Sequence, residues 1–252
     1  MCGRYAVTSA PEAIRALFGY PEQPNFPPRY NIAPTQPIAI VRLIEGKRQF
    51  ALVRWGLWPS WVKDPKNFTL LINARGESLT EKPAFRAAVK RRRCLIPADG
   101  FYEWRAAGPR KQPYYVRAKS GAPLAFAGLW ETWTGPNGEE LETAAIVTTR
   151  ANRTLAPIHE RMPVVVPPDA FDLWLDCANV DAETAAVVIA PAPDDLLEAY
   201  EVSTAVNRTA NDNAQLVERW TAPADVEQVP KAAAPRAPRK RVKKDDGQGA
   251  LF

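Results

Sequence analysis

The chain has 252 residues, 46% of them hydrophobic, 10% aromatic and 24% charged, a balance that supports a sizeable core and excludes disorder throughout. No apolar run reaches the roughly 18 to 20 residues that span a bilayer, and Met1-Cys2-Gly3-Arg4-Tyr5 lacks the apolar stretch of a secretory leader, so a cytoplasmic protein with no membrane partner is expected. Three widely spaced cysteines (Cys2, Cys94, Cys177) and one histidine make neither a disulfide framework nor a metal site, and no cofactor is expected. Charge is divided along the chain. Residues 1–161 hold 24 Lys and Arg against 13 Asp and Glu, residues 162–230 hold 2 against 13, and residues 231–252 hold 7 against 2. A positive front of that size suits a polyanion such as nucleic acid, unless the acidic stretch folds back and neutralises it.

In chain order, Pro11 to Gly19 predicts a short helix, with proline in the first turn, Ile14, Leu17 and Phe18 on one face and glycine as the stop. Strand-type runs follow at Pro37 to Ile44, Gln49 to Gly56 and Phe68 to Ala74. A helix is expected over Glu81 to Arg92, where Phe85 and Val89 stand four apart. Further strands are expected at Cys94 to Ala98, Tyr114 to Ala118, Leu124 to Leu129, Thr143 to Thr149 and Met162 to Val166, with Gly135-Pro-Asn-Gly138 as a hairpin turn. The final helix reads at Pro168 to Cys177. This order is neither a β-α alternation nor separate blocks. It fits one α+β domain with a curved, mainly antiparallel, barrel-like sheet flanked by helices. Residues 1–230 read as that domain, and a monomer is expected. After Pro230 the chain has no apolar periodicity to offset its ordering entropy, so residues 231–252 read as a disordered basic tail.

Several residues could carry chemistry. Removal of Met1 would leave Cys2 with an amine and a thiol on adjacent carbons. An α-amine is far less basic than a lysine, so more of it is nucleophilic at neutral pH; it can form an imine with an aldehyde, and the thiol can then close a five-membered ring. The alternative is an accidental buried thiol. His159, the one histidine, lies in a proline-bracketed loop two residues before Arg161; it is either a proton-transfer group beside a phosphate-binding arginine or a structural residue. Glu103 stands among aromatic residues, where burial would raise its pKa for acid–base work, or else on an edge strand facing water. Asn73 and Arg75 end an apolar strand on one face, as site residues or as a cap and a solvated cation. Trp55, Trp58, Trp61 and Trp104, with Pro34, offer aromatic surface for stacking bases, although core packing should claim all but one or two of them. The run Lys90-Arg-Arg-Arg93 could follow a nucleic-acid backbone or be a solvated helix end, and Cys94 and Cys177 are assigned to the core.

Five motifs in order, Met-Cys-Gly-Arg-Tyr at 1–5, Arg-Tyr-Asn-Ile-Ala-Pro at 29–34, Ile-Asn-Ala-Arg-Gly-Glu at 72–77, Ile-Pro-Ala-Asp-Gly-Phe-Tyr-Glu-Trp at 96–104 and Ile-His-Glu-Arg-Met-Pro at 158–163, resemble the SOS-response-associated peptidase family, the abasic-site processing proteins. The resemblance covers about residues 2–222. It implies a sensor of abasic sites in single-stranded DNA that forms a thiazolidine crosslink through Cys2, with a peptidase-like activity exposing that cysteine and a lyase activity besides. It further implies Cys2 as nucleophile, Asn73 as positioner, Glu103 as acid–base for imine formation and ring closure, and His159 as the group that opens the sugar hemiacetal. Arg4, Arg75 and Arg161 match phosphate-contacting positions, and Pro34 and Trp104 match an apolar shelf. In a bacterium such a protein would be associated with the nucleoid.

Two other readings use the same residues. An N-terminal-nucleophile cysteine amidohydrolase would also place Cys2 beside Asn and His, but gives no reason for a basic front. A plain single-strand-binding module leaves Cys2 without a role. Gln248, Leu251 and Phe252 at the end of the tail resemble the short peptides that dock on bacterial sliding clamps, which makes a clamp a candidate partner.

Overall fold

The computed structural model describes residues 2–107 and 110–220. Twelve strands in these segments form two sheets. The first, in the order β12 (Leu197–Glu201), β8 (Arg110–Ala118), β7 (Gly100–Ala107), β1 (Tyr5–Val7) and β2 (Arg29–Ile32), is antiparallel throughout. The second closes on itself: β10 (Glu140–Arg150) pairs with β4 (Lys47–Trp55), β4 with β3 (Pro37–Ile44), β3 with β6 (Arg93–Ala98), β6 with β9 (Leu124–Thr134), and β9 again with β10. The curved, mainly antiparallel sheet is therefore a closed five-strand barrel, with β5 (Asn73–Arg75) and β11 (Arg161–Pro163) added along β10.

Alternation along the barrel strands sets both packing faces. Val41, Leu95, Ala127 and Val147 pack against the helices α1 (Pro11–Phe18), α2 (Arg86–Arg91), α3 (Phe171–Leu175) and α4 (Ala182–Ala185), through Ile14, Phe18, Val89, Trp174 and Ala185. Ile40, Ile96, Phe126 and Ile146 pack against Tyr5 and Phe101 of the antiparallel sheet. α1 ends as its sequence predicts: Gly19 adopts φ 69°, and its N–H donates to the Arg15 carbonyl at 2.8 Å. The Gly135–Gly138 turn joins β9 to β10 as expected, with the Gly135 N–H on the Glu139 carbonyl at 2.8 Å.

Four expected elements are shorter than predicted, each for a local reason. The final helix, expected over 168–177, is α-helical only at Phe171–Leu175, because Pro168–Ala170 forms a 3-10 turn and Asp176 leaves helical backbone at ψ 83°. β4 occupies β10 at Thr143 and Ala144, so the 68–74 run finds ladder partners only at Asn73–Arg75, opposite Ile146 to Thr148. β11 leaves β10 after Pro163, and Val165 crosses to bridge Phe126 on β9. Pro83 disfavours helical backbone in the residue before it, and α2 starts only at Arg86. Two side chains correct the expectations outright. Cys177 is half-buried just beyond α3, where its sulfur accepts the Arg93 N–H at 3.5 Å, rather than lying in the core. Arg93 is neither solvated nor free to follow a backbone: at 1% exposure it donates to the carbonyls of Trp174, Val89 (2.9 Å), Asp176 (2.9 Å) and Val180 (2.8 Å), tying α2 to the end of α3.

The compact unit ends at Trp220. The tail at 231–252, with Gln248, Leu251 and Phe252, lies outside the described residues. No helix among those described is long and apolar enough to cross a membrane.

Candidate nucleophile and DNA-processing site

β1 delivers Cys2 to a fixed place. Tyr5 and Ala6 pair with Phe101 and Gly100, the Tyr102 N–H donates to the Arg4 carbonyl at 2.9 Å, and the Asp99 carboxylate accepts the Ser9 N–H at 2.8 Å. Only glycine fits at position 100, because a Cβ would stand 2.5 Å from both the Val116 carbonyl oxygen and the Tyr115 hydroxyl. Cys2 is fully buried. Burial pushes its thiol well above the ordinary range, and the neighbouring Glu103 carboxylate adds to the effect.

Asn73 begins β5 and donates from Nδ2 to the Cys2 carbonyl at 2.9 Å, while its Oδ1 is a buried acceptor with no partner among the described residues. Glu103 is 2% exposed on β7, a strand flanked by β1 and β8, so it is not an edge residue facing water. Burial raises its pKa against the opposing pull of His159. The His159 ring is oriented by its own loop: Nδ1 accepts the Arg161 N–H at 3.0 Å, leaving the proton of the neutral ring on Nε2. The Arg161 carbonyl oxygen also lies 3.3 Å from Nδ1. Glu103 and His159 line one open cavity of about 470 Å³ together with Arg4, Trp104, Lys111 and Asn207.

The remaining candidates divide. Arg75 is exposed at the end of β5. Pro34 is half-buried in the turn between β2 and β3, and Trp104 is half-buried with its Nε1–H on Asn207 Oδ1 at 2.8 Å. Arg4 donates from Nη1 to Asn31 Oδ1 at 2.7 Å and to the Val206 carbonyl at 2.9 Å. Arg161, 8% exposed, grips Glu77 through both terminal nitrogens at 2.7 and 2.8 Å and reaches the Thr148 carbonyl at 2.8 Å. Of the tryptophans flagged for stacking, Trp55 is in the core, Trp58 is half-buried, and Trp61 is 57% exposed. Among the described residues no group of three His, Cys, Asp or Glu side chains could hold a metal ion.

A family model described as SOS response associated peptidase (SRAP) matches residues 1–209. The chain belongs to this family. Among its relatives, the abasic site processing protein YoqW of Bacillus subtilis (strain 168) is 39% identical over 222 residues, covering 86% of this chain and 99% of that protein. The abasic site processing protein HMCES of Xenopus tropicalis is 32% identical over 257 residues, covering 84% of this chain and 76% of that protein. A crystal structure of a protein from Bacteroides thetaiotaomicron superposes with a TM-score of 0.78 at 25% identity, covering 87% of this chain and all of that one.

Four further residues belong to the candidate site. Asn31 and Glu77 lie inside the motifs read from the sequence, yet their work, anchoring Arg4 and Arg161, depends on partners far along the chain. Lys111 and Asn207 lie outside every motif, and only the fold brings them to the cavity.

Proposed function

We propose that this protein senses abasic sites in single-stranded DNA and captures their aldehyde as a thiazolidine at Cys2 once Met1 is removed. The observation that carries this reading is the convergence of Cys2, Asn73, Glu103 and His159 from four separate segments. In the proposed sequence His159 and Glu103 exchange the protons that open the sugar hemiacetal. The Cys2 amine adds to the aldehyde carbon and water leaves, giving an imine. The thiol then adds to that carbon, its proton passing to the nitrogen, with Glu103 serving both transfers. Asn73 holds the Cys2 backbone through its carbonyl and offers Oδ1 to the amine. Arg4, Arg75 and Arg161 act on the DNA backbone, and Pro34 and Trp104 form an apolar shelf. Self-removal of Met1 and a lyase activity belong to the same proposal, as does residence in the cytoplasm, on the nucleoid in a bacterium.

Intact mass before and after incubation with an abasic oligonucleotide tests this. The expected result is loss of Met1, then a gain equal to the oligonucleotide less one water, stable to heat without borohydride and absent in Cys2→Ala. An adduct undiminished in Cys2→Ala would overturn the mechanism, and loss of Met1 with no adduct would favour an amidohydrolase.

A further inference from the structure

Two of the arginines that match phosphate-contacting positions are engaged within the protein. Arg4 is bound to Asn31 and the Val206 carbonyl, and Arg161 to Glu77 and Thr148. The cavity has another cation in Lys111, which is exposed and pairs with no carboxylate among the described residues. Its position follows from strand register. On the β7–β8 hairpin Trp104 lies opposite Pro113 and Ala106 opposite Lys111, so Lys111 shares the Trp104 face one diagonal step away. Asn207 holds the other side of that indole.

We infer that Lys111 binds the backbone phosphate beside the abasic nucleotide, at the mouth of the cavity and over the Trp104 ring. This rests on the functional reading above and adds a contact from outside the motifs. Lysine suits the place. Its ammonium is a compact charge on a flexible stem, able to keep hold of a phosphate while the sugar next to it opens, whereas a planar, anchored guanidinium is fixed in direction.

The test uses the full chain, with binding read in the Cys2→Ala background so that capture does not intervene. The probe is a single-stranded oligonucleotide with one abasic site, and a series of it in which one phosphate at a time is an uncharged methylphosphonate. Adding Lys111→Ala should weaken binding roughly 3- to 10-fold at low salt and reduce the slope of log K against log salt by about 0.7, one phosphate on a single strand. Lys111→Arg should restore both. One methylphosphonate position next to the abasic site should weaken the parent and leave Lys111→Ala indifferent, a response that a merely structural role would not produce. Equal sensitivity of parent and Lys111→Ala at every linkage, or failure of arginine to restore binding, would overturn the assignment. The two readings fail separately: if the protein with Cys2 intact captures no abasic DNA the functional proposal falls, whereas capture with an indifferent Lys111 removes only this contact.

Discussion

Glu103 is a carboxyl group whose ionisation the fold opposes through burial, and in the proposed mechanism that opposition helps it carry a proton for transfer. Its folded-state pKa is raised, so the stability it contributes is fully present below the ordinary carboxylate pKa and is lost as pH climbs through the raised value. Glu103→Gln should therefore melt higher than the native chain at neutral pH, with the gap closing in acid, as read by thermal denaturation across pH. The same variant should form adduct roughly 100-fold more slowly, as should His159→Ala, with reversible DNA binding retained. Cys2, Asn73, Glu103 and His159 could be singled out from the sequence as candidates because each sits in a compact motif. The exposure of Glu103 was not legible there, since whether β7 lies at an edge or in the middle of a sheet depends on pairing with β1, almost a hundred residues away.

At the level of elements, two anchors hold the site together. Asn31, fully buried, donates to the carbonyls of Val206, Arg208 (3.1 Å) and Asn211 (2.7 Å) and accepts from Arg4, strapping the 206–211 segment to β2. Asn31→Ala leaves several of these groups unsatisfied and should cost about 2 kcal/mol or more in urea unfolding. Arg161 joins the His159 loop to the turn after β5 through Glu77, whose carboxyl it holds below its usual pKa. A lysine ammonium cannot reproduce that bidentate geometry, so Arg161→Lys should lose about 1 to 3 kcal/mol of stability; unchanged stability would show that Arg161 serves DNA alone. The sequence predicts Pro37 to Ile44 to the residue, because alternation and both ends are marked in one continuous run. It misses β1, β2 and β12, which are only 3 to 5 residues long and owe their existence to neighbours rather than to pattern, and it lists no strand at the 8-residue β7, which pairs with β1 and β8.

Across the whole molecule the two charge blocks do meet. Arg29–Asp212, Arg48–Asp172, Arg105–Glu201, Arg117–Glu198 and Arg153–Asp194 each join the basic front to the acidic stretch. The fold thus takes part of the front's charge out of play, a juxtaposition that no linear count could disclose. Arg75 stands outside these pairs, and Arg75→Ala should lower the salt slope of DNA binding by about 0.7 with its melting temperature unchanged, as measured by anisotropy titrations at several salt concentrations. The bond from Arg4 to the Val206 carbonyl spans 202 positions of the chain. A ribosome adding 5 to 20 residues per second therefore needs roughly 10 to 40 s between making the two ends of that bond. Throughout that interval the setting around Cys2 is incomplete, because Arg4 lacks the anchor that holds it at the cavity. Any step that needs the finished cavity, the proposed self-removal of Met1 included, therefore follows synthesis of Val206, which sets maturation of the cysteine late in the making of the domain.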